Sequence, residues 1–166
     1  MDLSDTRVLG VYVLDMIGHN RDSELDVFQI SPGKGSASLR LAWQAHIANA
    51  LWNAGSKKWN HRQGRRSKGH GMRAGGVKIP LLAQFPCLQG EVRLSEDPRS
   101  TLFNTDGQIF SDCGVPVVLF MENYDITRSG YHDTKDTMQN IDLDYGAALA
   151  AITIETVARA ATLRKI

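Results

Sequence analysis

The chain has little of what usually identifies a protein at sight. Its 166 residues include two cysteines, Cys87 and Cys113. They lie far apart and outside any CxxC or Cys/His spacing, which excludes a structural zinc module and leaves two buried thiols as the expectation. No apolar run reaches the ~18 residues that a membrane-spanning helix needs, and the amino end, MDLSDTRVLG, lacks the basic-then-apolar pattern of a secretory signal. No membrane partner is expected. Charge of one sign is missing as well. A formal net charge of +1 gives no global attraction to nucleic acid or lipid, so an electrostatic partner has to be read by a local patch. No internal repeat is visible, which excludes a solenoid. With 42% hydrophobic residues the chain has enough apolar side chains for one core, and a single domain over residues 1–166 is the reading.

Alternating strand and helix patterns make up most of what is there, and they predict an α/β fold. Val115 to Met121 is β-branched and aromatic, begins beside Gly114 and carries Pro116 at its edge, as suits a strand buried on both faces. Arg7 to Leu14 is a second apolar run of strand length and reads as a central strand; Leu25 to Ile30 is a shorter, more polar one that turns at Ser31, Pro32 and Gly33. Ser36 to Ala54 reads as a helix with Leu39, Ala42, Trp43, Ile47, Ala50, Leu51 and Ala54 on its apolar face, stopped by Gly55. Short strands are expected at Ile79 to Phe85 and Val92 to Leu94. Leu143 to Leu163 reads as a long helix packed on the sheet through Ala147, Ala148, Ala151, Ile152, Ile154, Val157, Ala158 and Ala161.

Lys57 to Lys78 is different in kind. It holds eight lysines and arginines and no acidic residue, with glycines throughout, and reads as a basic loop inside an insertion over 57–100. Exposed glycine amides beside arginines can cradle an anion, but the segment matches no phosphate-loop pattern, so a solvated insertion is favoured and nucleic acid is an unlikely partner.

Ligands of open α/β sheets bind outside the carboxyl ends of strands. Two such ends carry candidate chemistry. Asp15 closes the first strand, as a metal ligand or as an ordinary turn aspartate before Gly18. Glu122 closes the strand that leads to His132 and Asp136, as a structural hydrogen-bonding group or a carboxylate facing substrate. Carboxylates and a neutral imidazole on separate strand ends are what a hydrolase needs to hold a divalent metal and activate water.

The motif order is an apolar strand ending in DMIG (Asp15 to Gly18), TDGQIF (Thr105 to Phe110), GVPVVLF (Gly114 to Phe120), YHDTKDT (Tyr131 to Thr137) and a long helix after NIDLDYG. This order resembles the co-catalytic zinc aminopeptidases of metallopeptidase family twenty-eight, relatives of glutamate carboxypeptidase and, in fold, of glutaminyl cyclase. The resemblance runs over nearly the whole chain and is most specific from Gly114 onward. It implies a zinc-exopeptidase-like (phosphorylase/hydrolase-like) mixed sheet flanked by helices. It further implies two zinc ions about 3.5 to 4 Å apart sharing a water, with Asp15 a ligand of one and His132 of the other. Asp136 matches the carboxylate that closes the histidine loop, and Tyr131, Glu122 and Asp106 fall beside ligands or substrate. Asp133 stands where threonine is usual, and Gly107 where many relatives have histidine.

Relatives place further ligands and a general-base glutamate ahead of the DMIG strand, and only fourteen residues precede Asp15 here. The chain is therefore expected to be the carboxyl-terminal half of a catalytic domain, incomplete at its amino end, with a sheet edge that the other half covers. The implied function is a zinc-dependent exopeptidase that hydrolyses amino-terminal bonds of a peptide substrate and is inactive as this fragment alone. The alternatives are a non-catalytic peptidase-like interaction domain and an anion- or nucleic-acid-binding module using residues 57–78.

Overall fold

Short apolar segments pair into one mixed sheet, as the continuous hydrophobic runs require. The structure, a computed structural model, describes residues 8–21, 24–66, 73–74, 77–78, 85–123 and 130–162. In chain order the elements are β1 (Val11–Asp15), β2 (Val27–Pro32), α1 (Ser36–Arg66), β3 (Arg73–Ala74), β4 (Val77–Lys78), β5 (Gln89–Val92), α2 (Gly107–Asp112), β6 (Val117–Glu122) and α3 (Leu143–Thr162). The main sheet has the order β1-β6-β2-β5. β1 runs parallel to β6, β2 antiparallel to β6, and β5 parallel to β2. β3 and β4 form a separate two-stranded pair within the basic segment. The fold is thus α/β with a mixed sheet and helices. β6 is buried along its whole length. β1, expected to be central, is the end strand of the sheet among the described residues.

The two faces of the sheet hold separate cores. Phe28, Ile30, Val118 and Phe120 point to one side, where Leu41, Ala42, Ala45 and Ala48 of α1 and Tyr145, Ala148, Leu149 and Ile152 of α3 cover them. Val117, Leu119 and Met121 point to the other, where Leu102 and Phe103 of a short 3-10 turn meet them together with Val11 and Val13. A Cβ on Gly90 of β5 would lie 2.9 Å from Phe28 and 3.1 Å from Asn49. Glycine there lets α1 approach the sheet closely.

The helices depart from the expected pattern in phase and in length. α1 buries Leu41, Ala45 and Ala48, and of the apolar face expected for it only Ala42 lies fully in the core; Leu39, Trp43 and Leu51 are 46%, 62% and 49% exposed. Small residues form the buried seam because two helices and a sheet close in on it, leaving the bulkier side chains outside. α3 buries Thr153 and Thr156 while Ile154 faces solvent. The two hydroxyls bond back to the Leu149 and Ile152 carbonyls at 2.9 and 2.7 Å, which satisfies them without water.

α1 also runs through Gly55 to Arg66, so the first part of the expected basic loop is helical. Mid-helix glycine costs about 1 kcal/mol, and the turns around it are anchored from outside. Asn53 pairs with both backbone groups of Leu88 (2.8 and 2.9 Å), and Ser56 and Asn60 donate to the Phe85 carbonyl. Of the expected strand Ile79 to Phe85, all but Phe85 lies outside the described residues, and the strand expected at Val92 to Leu94 sits earlier, as β5. Cys87 is half-buried and Cys113 exposed, so neither is the buried thiol expected.

Candidate functional site

Asp15 is in register with Met121, so β1 and β6 leave the sheet side by side at the same end. β1 turns there at once, with Met16 in the left-handed region at φ 49°, a conformation uncommon outside glycine. Glu122, the last residue of β6 and 1% exposed, holds that turn. Its Oε2 accepts the N–H groups of Gly18 (3.1 Å) and His19 (2.6 Å), and its own N–H donates to the Met16 carbonyl at 2.9 Å. Glu122 thus bonds the backbone of this turn and also lines a cleft at the same end of the sheet.

The His132 loop is shaped by its neighbour. His132 is exposed, has φ 52°, and its ring stacks on Tyr131 with centroids 4.2 Å apart. Asp133 accepts the Lys135 N–H at 2.6 Å and the Gly130 N–H at 3.2 Å, and its carbonyl accepts the Asp136 N–H. These backbone donors, Lys135 first and Gly130 second, hold the Asp133 carboxyl below the usual aspartate range. The loop then returns to β1. The Asp142 N–H donates to the Gly18 carbonyl at 2.7 Å, and Asp142 Oδ1 accepts the Tyr145 N–H at 3.0 Å, the arrangement of an amino-terminal cap on α3.

Two clefts meet at this end of the sheet. Asp15 lines one with Asn104, Thr105, Asp106 and Gln108, so Asp15 and Asp106 face a common polar space. Met16, the next residue, lines the other with His19, Glu122, Asp136 and Asp142. His132 lines neither. At Gly107 a Cβ would stand 2.5 Å from buried Leu102, so a histidine there would displace that core residue.

Tetrahedral zinc takes at least three protein ligands. Among the described residues no three His, Cys, Asp or Glu side chains converge, so Asp15 and His132 by themselves do not fit a zinc ion. Among the described residues, too, no helix is long and apolar enough to cross a membrane. Sequence reasoning marks Asp133 only as a residue standing where threonine is usual, and it passes over His19. An aspartate two residues before a lysine amide in a polar loop is the signal of an Asx turn, whereas nothing local marks His19, which is buried and whose N–H reaches Glu122 more than a hundred residues away. No protein-family model, no curated protein and no solved structure matches this chain.

Proposed function

We propose that this chain is part of a zinc-dependent exopeptidase of the aminopeptidase type. Asp15 and His132 are two of its metal donors, and the remaining donors and the general-base glutamate lie outside the described residues. One observation carries the reading. The parallel pairing of β1 with β6 in the Asp15–Met121 register brings the strand end that bears Asp15 beside the strand that delivers His132. Backbone strain supports it: Met16, adjacent to Asp15, and His132 itself are both left-handed, and strain of this kind concentrates at functional sites. In this reading Glu122 and Asp133 are positioning residues, one for the turn after Asp15 and one for the His132 loop. The polar cleft shared by Asp15 and Asp106 is the side from which a peptide reaches the site.

The test is zinc uptake and turnover by the chain produced together with whatever polypeptide is encoded ahead of Met1. Calorimetry should count about two zinc ions per molecule, with cleavage of an aminoacyl anilide. Asp15→Asn and His132→Asn should each lose metal and turnover. A protein that takes up no zinc and releases no product overturns the proposal, and a non-catalytic interaction domain is then what remains.

A further inference from the structure

A further concave surface lies between the carboxyl half of α1 and α3, lined by none of the residues of the two clefts described above. Its walls are Trp52, Trp59 and Phe85, with Ala151, Ile152 and Glu155 from α3. The Phe85 ring stands 5.6 Å from Trp52 at 77° and 6.1 Å from Trp59 at 54°. The three rings thus cluster along one groove, and a cation within about 6 Å of a ring face is attracted by the ring quadrupole.

The groove is held in advance. Trp52 Nε1 donates to the Pro86 carbonyl at 2.9 Å, Ser56 and Asn60 donate to the Phe85 carbonyl, and Asn53 grips Leu88. The polar groups of this stretch are therefore spent on the strap of residues 85–88, and the groove is left with aromatic faces. Glu155 is the one charged residue among the described lining residues. Its partner Arg159 stands 3.8 Å away, at the outer limit of an ion pair. A primary ammonium would need several acceptors and finds one carboxylate. A methylated ammonium needs none and presents methyl groups to the rings.

We propose that this groove binds a small organic cation bearing a methylated ammonium group. The full chain is titrated with choline chloride and, separately, with its neutral isostere 3,3-dimethyl-1-butanol at fixed ionic strength, following the three indole N–H resonances. Choline should saturate with a dissociation constant of about 1 mM, moving the Trp52 and Trp59 signals and sparing Trp43. The isostere should bind at least about fivefold more weakly, as should choline to Glu155→Gln and to Trp59→Leu, a half-exposed position where an apolar but smaller, non-aromatic side chain remains. Equal binding of the neutral isostere, or undiminished choline binding by Trp59→Leu, overturns the proposal.

Discussion

Phe120 and Met121 are neighbours on β6, both at most 3% exposed, yet they look into different interiors. Phe120 lies under two long helices, stacked on Phe28 with ring centroids 6.4 Å apart and an angle of 13°, among side chains that are almost all hydrocarbon. Met121 lies on the face covered by the 3-10 turn and the short helix α2, beside buried Gln29 and Thr101, which bond each other at 3.3 Å. Nearby on that face, buried Arg93 reaches Asn123 at 2.8 Å and Glu91 at 3.3 Å. One face is sealed by packing and the other is thinly covered and polar. Asp15 and Asp106 open onto the second.

The difference should be visible in stability. Phe120→Ala removes a ring from a layer that cannot settle around the gap, and should cost about 3 to 5 kcal/mol in urea unfolding. Leu102→Ala on the thin face should cost only about 2 to 3 kcal/mol, because a short turn can move into the space. Equal losses would mean that the second face is as rigidly packed as the first, and the comparison would fail.

How much of this was legible in the sequence depends on the range of the force involved. Continuous apolar runs such as VVLF in β6 declare a strand buried on both faces without help from elsewhere, so the strands and the α/β class could be read. The inward face of α1 could not. Periodicity ranks Leu39 and Trp43 above Ala45 and Ala48, whereas the closeness of α3 and of Gly90 in β5 selects the small residues. Thr153 and Thr156 of α3 looked polar because their bonds to the preceding turn cannot be seen in composition. At the site, Asp15 and His132 stood out as strand-end and loop residues, but Glu122 gained its role from amides more than a hundred residues earlier in the chain. Such a contact exists only once the sheet has formed.

Glu122→Gln tests that contact. The amide keeps an acceptor oxygen but brings an NH2 donor into a buried position, so a loss of about 1 to 3 kcal/mol is expected. Hydrogen exchange should locate the damage, with the Gly18 and His19 amides exchanging faster while those of α3 near Ile152 are unchanged. Uniform acceleration across both faces would show that Glu122 supports the whole sheet and not the turn after Asp15.

The smallest effect belongs to Asp133, which is exposed, and it separates a locally held loop from the packed cores. Its folded-state pKa is depressed by the Lys135 and Gly130 N–H groups, so the turn is fully held above the unfolded-state pKa of an aspartate and is lost as pH falls through the lower folded value. The Gly130 and Lys135 amide resonances should therefore titrate with a midpoint below the ordinary aspartate value of about 3.9. At neutral pH the melting temperature of Asp133→Asn should stay close to that of the wild-type chain, because Asp133 is exposed and bonds only the backbone of its own loop. In Asp133→Asn the same amides should show no such titration, while those of Phe28 and Phe120 keep their wild-type shifts. A midpoint at the ordinary value would mean that the carboxylate does not hold the turn. The left-handed conformation of His132 would then need another support, and Asp136, whose N–H already bonds the Asp133 carbonyl at 3.1 Å, is the residue through which to look for it.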